Sequence, residues 1–279
     1  MTGDRDPSSG LQNIKLIATD LDGTLLDSFG HVSDINLQAI KNANNAGILT
    51  IASTARSIRS TQAISLKSGL GPLAICQNGA AVYDVKTKEL LYHQPIELIN
   101  AISIISKLKT EMPGIIFAIE KLDNFISEKG FFPTPLPGLT ADPIDEILNE
   151  ISEPVTKIIC RHPTIPHREL KDRAYQQCHN LADITSAGAD WVDFQATGIS
   201  KATGLAFATK LLDIASDEVA AIGDNSNDVP MLEWVTVSAV PSNANAEAKL
   251  RANWIVPSNL DNGVAVFIEK IIDSNRNNR

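Results

Sequence analysis

The sequence predicts an α/β fold: a doubly wound, Rossmann-like parallel sheet core with an inserted α+β domain. Three observations predict it. Short runs such as 16–18 (LIA), 48–52 (ILTIA) and 73–76 (LAIC) are apolar without alternation, as strands buried on both faces are. They alternate with helical stretches, the spacing that parallel strands need for their crossovers. Between about 85 and 194 the alternation gives way to mixed hairpins and helices, and it resumes at Lys201. The expected division is 13–84 with 195–279 for the core and 85–194 for the insert.

Taken in order, the strand at 16–18 runs out at Asp20 and Asp22, and Gly23 and Thr24 then force a turn. Ser33 caps a helix reaching about Ala46, with Leu37, Ile40 and Ala43 on one face and Gly47 as its stop. The strand at 48–52 ends in Ser53-Thr54-Ala55-Arg56. A helix over 57–67 is closed by Gly69, and the strand at 73–76 ends in Gln77-Asn78-Gly79-Ala80. In the insert we expect strands at 90–93, 114–120 and 155–161, and helices at 95–109, 143–151 and 166–179. The stretch 131–139 carries three prolines and is expected to be a loop. Strands at 183–186 and 191–195 are joined by a turn at 187–189. After the insert come a helix at 201–214, a strand at 218–222, a polar loop at 223–228 and a helix from near Asn227 with Pro230 in its first turn. A strand at 235–239, a helix at 243–252, a strand at 254–256 and a helix at 262–273 complete the pattern.

Composition narrows the function classes. A chain of 279 residues, 43% hydrophobic, has room for a core and a second domain. The net charge of -9 and the lack of any Lys/Arg-rich run argue against nucleic-acid binding. Cys76, Cys160 and Cys178 are odd in number, widely spaced and without a CxxC pair, which disfavours a disulfide framework and a zinc site. No apolar run is long enough for a membrane span, and the first ten residues hold no apolar stretch of a secretory signal. A cytoplasmic monomer or homodimer is the expectation, with polar, frayed ends at 1–10 and 273–279.

Asp20 and Asp22 carry the chemistry. They sit at the carboxyl end of a buried strand, where open α/β sheets bind ligands. Two carboxylates two residues apart point the same way there, one able to attack and the other to move a proton. The stretch by itself fits a plain acidic turn equally well, whereas a calcium loop would need later ligands that this chain lacks. Thr54, Lys201, Asp224 and Asp228 fall at other strand ends and helix starts, on one edge of the same sheet. Each alone reads as a cap, a solvated lysine or a polar turn. Together they suit phosphoryl transfer. Asp20 is then the nucleophile and Asp22 the acid/base. Thr54 and Lys201 contact phosphoryl oxygens, and Asp224 holds a magnesium ion.

Here the chain resembles the haloacid dehalogenase superfamily, in its Cof-like hydrolase branch. The resemblance rests on Asp20-Leu-Asp22-Gly23-Thr24, Thr54-Ala55-Arg56, Gly198-Ile-Ser200-Lys201 and Gly223-Asp224-Asn-Ser-Asn227-Asp228 followed by Met231-Leu232. Asn78-Gly79-Ala80 resembles the segment before that branch's cap. The resemblance implies a Mg2+-dependent phosphatase acting on a small phosphorylated metabolite, a sugar phosphate or similar, through an aspartyl-phosphate. A phosphomutase or a non-catalytic sugar-phosphate-binding regulator is the alternative. It implies Asp20, the backbone carbonyl of Asp22, and Asp224 as magnesium ligands, and Asn227 and Asp228 as their supporting partners. Thr54, Arg56, Asn78 and Lys201 are implied to contact the substrate, and the insert to act as a lid. Ala55 and Ala202 stand where the family commonly has Gly. If the turn at Ala55 needs a positive φ, alanine would cost about 1 kcal/mol there.

Overall fold

The computed structural model describes residues 13–122, 124–132, 143–185 and 191–277. These divide into two compact units: one runs up to Tyr92 and resumes from Ser200, and the other is His93–Ile199.

The chain starts with β1 (Leu16–Thr19), buried along its whole length, then α1 (Asp34–Asn45), β2 (Leu49–Ser53), α2 (Ile58–Ser68), β3 (Leu73–Cys76), β4 (Ala81–Asp84) and β5 (Leu90–His93). Local rules set the helix ends. The Ser33 hydroxyl accepts from the Asn36 amide at 3.1 Å to open α1, and Gly69 closes α2 at φ +74°. The inserted unit supplies α3 (Leu98–Glu111), β6 (Ile116–Lys121), β7 (Asn124–Ser127), β8 (Lys157–Arg161), α4 (His167–Cys178), β9 (Asp183–Thr185) and β10 (Val192–Gln195). The chain then returns through α5 (Lys201–Leu211), β11 (Val219–Ile222), α6 (Val229–Trp234), β12 (Val237–Pro241), α7 (Ala246–Arg251), β13 (Trp254–Val256) and α8 (Gly263–Asn277).

The first unit is built on an eight-stranded sheet in the order β13-β12-β11-β1-β2-β3-β4-β5. Strands β13 through β3 run parallel, and β4 turns back antiparallel to β3. Because β1 lies between β11 and β2 in matched register, the carboxyl ends of all three fall on one edge. Leu16, Ala18, Ile51 and Ile75 pack with Leu205 and Ala208 of α5 and Met231 and Leu232 of α6. Helices α1 and α8 pack against one another. The second unit has its own five-stranded sheet, β7-β6-β8-β10-β9, antiparallel throughout.

The fold class is as expected, with differences at the short elements. Strands β4 and β7 were not anticipated. They are four residues each, too short for periodicity to stand out. The helix expected at 143–151 is only a 3-10 turn, Ile147–Glu150. The turn at 187–189 and most of the proline-rich loop lie outside the described residues. All three cysteines are buried and unbridged. Among the described residues no helix is long and apolar enough to cross a membrane.

Candidate active site

Each acidic side chain is placed by the end of a strand. Asp20 follows β1, and its amide donates to the Ile222 carbonyl at the end of β11. The chain then coils through Leu21–Leu25, with Gly23 at φ +76°. A Cβ on Gly23 would come within 2.5 Å of Asp224 Oδ2, so only glycine allows Asp224 this close. Asp224 and Asp228 follow β11. Asp228 Oδ2 accepts from the amides of Asp224 (2.9 Å) and Asn225 (3.0 Å), which locks the loop around it.

Lys201 opens α5 directly after Ser200, whose hydroxyl accepts from the Thr203 amide. A lysine in the first turn opposes the helix dipole. The structure supplies the reason. Lys201 is fully buried, and its Nζ lies 2.6 Å from both Asp20 Oδ1 and Asp228 Oδ1. Burial pulls its ammonium toward neutrality, but Asp20 and Asp228 outweigh that and hold the charge on. Burial pushes the Asp20 carboxyl well above the usual carboxylate range. Lys201 draws it back, while Asp228 and Asp224 push it up again. Asp224 is raised to about 6, by burial and then by the charge on Asp228.

One carboxylate oxygen from each of Asp20, Asp224 and Asp228 lies within 4.8 Å of the other two. Two of them, Asp20 and Asp228, share the one Lys201 ammonium. Asp224 and Asp20 each raise the other's burden of negative charge, a repulsion that a cation between them would relieve. An all-oxygen, net-negative donor set of this kind fits a hard divalent cation. Asp228 already engages Lys201 and two backbone amides, so Asp20 and Asp224 are the better placed ligands.

The remaining residues separate into pairs. Asp22 is exposed and is gripped by Arg56 with two hydrogen bonds, Nε to Oδ2 at 2.7 Å and Nη2 to Oδ1 at 2.6 Å. Thr54 is buried at the end of β2, and its hydroxyl oxygen accepts from the Arg56 amide. Asn78 is buried after β3 at φ +56°. Its amide donates to the Thr54 carbonyl at 3.0 Å, and its Oδ1 accepts from Asn227 Nδ2 at 3.0 Å. Its own Nδ2 is buried without a hydrogen-bond partner among the described residues. Ala55 is not among the residues with positive φ, so the strain considered for it does not arise.

Three contributors were not singled out for a role. Thr24 donates to Asp224 Oδ1 at 3.1 Å, Asn243 Nδ2 donates to the Gly23 carbonyl at 2.8 Å, and the Asn245 amide donates to the Asp224 carbonyl. Thr24 stood in the motif and was legible. Asn243 and Asn245 lie in a stretch with no local signature, and only the packing of the loops brings them in.

A doubly wound sheet with a lysine-bridged carboxylate cluster at its carboxyl edge defines an enzyme of the α/β class with a site suited to phosphoryl transfer. The comparison with protein families agrees: the haloacid dehalogenase-like hydrolase family matches residues 17–268, and the chain belongs to it. It is similar to 5-amino-6-(5-phospho-D-ribitylamino)uracil phosphatase YcsE of Bacillus subtilis, 27% identical over 272 residues, covering 92% of this chain and 95% of that protein. It is likewise similar to pyridoxal phosphate phosphatase YbhA of Escherichia coli, 26% identical over 91% of this chain and 97% of that one. Among solved structures, a haloacid dehalogenase-like hydrolase from Bacteroides thetaiotaomicron shares the fold at a TM-score of 0.79 and 21% identity, over 92% of this chain and 99% of the other.

Proposed function

We propose that this chain is a Mg2+-dependent phosphoric monoester hydrolase that acts on a small phosphorylated metabolite, such as a sugar phosphate, through an aspartyl-phosphate. The observation that carries the reading is the buried Lys201 ammonium, 2.6 Å from both Asp20 and Asp228, beside Asp224. Relatives named as phosphatases for two small phosphorylated compounds support the substrate size.

An Asp20 oxygen attacks phosphorus as the ester P–O bond breaks. The leaving alkoxide takes a proton from Asp22. Asp22 then removes a proton from water, the water oxygen attacks phosphorus, and the Asp20–phosphorus bond breaks to release inorganic phosphate. The Arg56 fork fixes the orientation of Asp22 with two hydrogen bonds, and Asp22 leaves that fork to reach the leaving group. Thr54, Lys201 and the Asn78 Nδ2 donor take up phosphoryl oxygens, and Lys201 balances the charge on Asp20. Asp20, the Asp22 carbonyl and Asp224 would hold Mg2+, which supplies neutralisation of phosphate charge when bound. Asn227 fixes Asn78, and Asp228 fixes Lys201. The inserted segment, expected over 85–194 and compact over His93–Ile199, selects the substrate. The reading carries with it a cytoplasmic monomer or homodimer.

The test is phosphate release from a panel of phosphate esters with Mg2+ or EDTA, in wild type and Asp20→Asn. Mg2+-dependent release that falls by about 10^4-fold or more in the variant is expected. Undiminished release by Asp20→Asn sinks the reading. Isomerised product without free phosphate favours a phosphomutase, and binding without turnover a regulator.

A further inference from the structure

The parallel strands of the first unit start at the edge opposite the catalytic carboxylates, and that edge holds a cavity of about 420 Å3. It lies where Leu49 begins β2, Pro72 leads into β3 and Val85 follows β4, beside the last turn of α2. Leu49, Leu66, Pro72 and Val85 give it an apolar wall, Ser65 of α2 lines its floor, and Lys86 stands at its mouth. All of these residues belong to one compact unit.

Two hydroxyls beside this cavity have nothing to bond. Helix α2 packs on β2 and β3 and buries Thr61, Ser65 and Ser68, where a core helix ordinarily buries apolar groups. The Thr61 hydroxyl donates to the Ser57 carbonyl at 2.9 Å. Ser65 Oγ, on a residue with no exposed surface, makes no hydrogen bond among the described residues. Thr50 Oγ1 is buried and unpartnered in the same way. Ile51 packs with α5 and α6, so its neighbour Thr50 faces the other side of the sheet, where α2 lies. One short strap ties the two together. The Leu70 amide donates to the Ser65 carbonyl at 3.1 Å, and the Gly71 amide to the Thr50 carbonyl at 2.9 Å. Buried hydroxyls nearly always have a partner, so a pair left open beside a cavity suits a molecule that brings one.

Size and charge narrow the molecule. An apolar cavity of about 150 Å3 admits benzene. The larger volume here leaves room for two fused rings and a polar substituent. Among the described residues Lys86 is the one charged group in the lining, and Asp84 beside it feels its charge. Helices α1 and α2 both end at this edge and turn the negative ends of their dipoles toward it. A lysine at the mouth, offset by an aspartate and two helix ends, favours a ligand of neither sign.

We propose that this cavity binds a neutral apolar molecule of about two rings that carries one hydroxyl or amide group, which pairs with the Ser65 hydroxyl. The site is independent of the phosphatase reading, because none of its residues takes part in that chemistry.

The experiment titrates the full chain with 2-naphthol, naphthalene and 2-naphthoate and follows the amide chemical shifts by NMR. 2-Naphthol is expected to bind with a Kd of about 1 mM or tighter, a demand per atom that small ligands meet, and to move the signals of Ser65, Leu70 and Val85. Naphthalene lacks the polar atom and 2-naphthoate brings a charge, so each should bind about fivefold or more weakly. Ser65→Ala should weaken 2-naphthol about fivefold or more and leave naphthalene within about twofold, a split that a merely structural change would not produce. Leu66 is 57% exposed, so Leu66→Gln should fold with an unchanged Tm and weaken both neutral compounds. Failure of 2-naphthol to move those signals at its solubility limit would mean that water alone satisfies the hydroxyls, and overturns the proposal. Equal affinity for all three compounds overturns it too, as does binding that neither substitution alters.

Discussion

Replacing Lys201 by methionine tests the centre of the site most directly. The change keeps the length and apolar bulk of the side chain and removes only the ammonium that Asp20 and Asp228 share at 2.6 Å each. Removing one partner from a buried charge cluster costs about 3–5 kcal/mol, because the charges left behind are unpaired in a poorly solvating environment. For a domain of this size that lowers Tm by roughly 6–20 °C.

The pH dependence sharpens the test. In wild type the Lys201 pKa is raised by its carboxylates, so its stabilisation is fully present below the ordinary lysine pKa and constant between about pH 5 and 8. In Lys201→Met the Asp20 carboxyl, already raised by burial, loses the partner that draws it back and holds its proton more tightly in the folded chain than in the unfolded one. Its contribution is then lost as pH rises, at up to about 1.4 kcal/mol per pH unit. The variant should therefore be weakest near pH 8 and recover toward about pH 5. Adding Asp228→Asn, which removes one stranded charge, should restore part of the loss. Thermal unfolding by circular dichroism at the two pH values measures all of this. A variant within about 2 °C of wild type at both, or no gain from the second change, would refute the claim that the triad is a buried charge network.

Two further outcomes follow from the same geometry. Gly79 sits at φ +97°, and a Cβ there would lie 1.9 Å from the Ser200 carbonyl oxygen, which opens the helix carrying Lys201. Gly79→Ala should destabilise by about 3 kcal/mol or more and depress phosphate release with it, and a neutral result in urea unfolding would contradict the close approach. Asp193 is raised from 3.8 to about 6, by burial first, partly offset by Lys157. A raised folded-state pKa means stability present at low pH and lost as pH rises through about 6, a loss that Asp193→Asn avoids. Relative to wild type, that variant should gain about 2–3 kcal/mol between about pH 4 and pH 7.5, and a pH-independent difference in urea unfolding would refute it.

Much of the site was legible because its local signals are strong. Asp20 and Asp22 end an apolar run and meet a Gly-Thr turn, and Lys201 follows a serine cap; neighbours in sequence decide such features. The same holds for the long core elements, whose apolar periodicity exceeds one turn or one strand. The four-residue strands β4 and β7 were missed because their partners, not their composition, make them strands.

The tertiary structure decided what each charged group does. A helix-start lysine becomes a fully buried bridge only because Asp20, 181 residues away, and Asp228, 27 residues away, converge on it. Asp228 belongs to that bridge as much as to any cation site. Asp22, the companion of Asp20 in the motif, stands exposed in the fork of Arg56. Sequence alone determined which backbone ends where, since propensity, capping and turn chemistry act over a few residues. Folding determined burial and charge pairing, since these depend on which distant strand ends share an edge and on how little water remains between them.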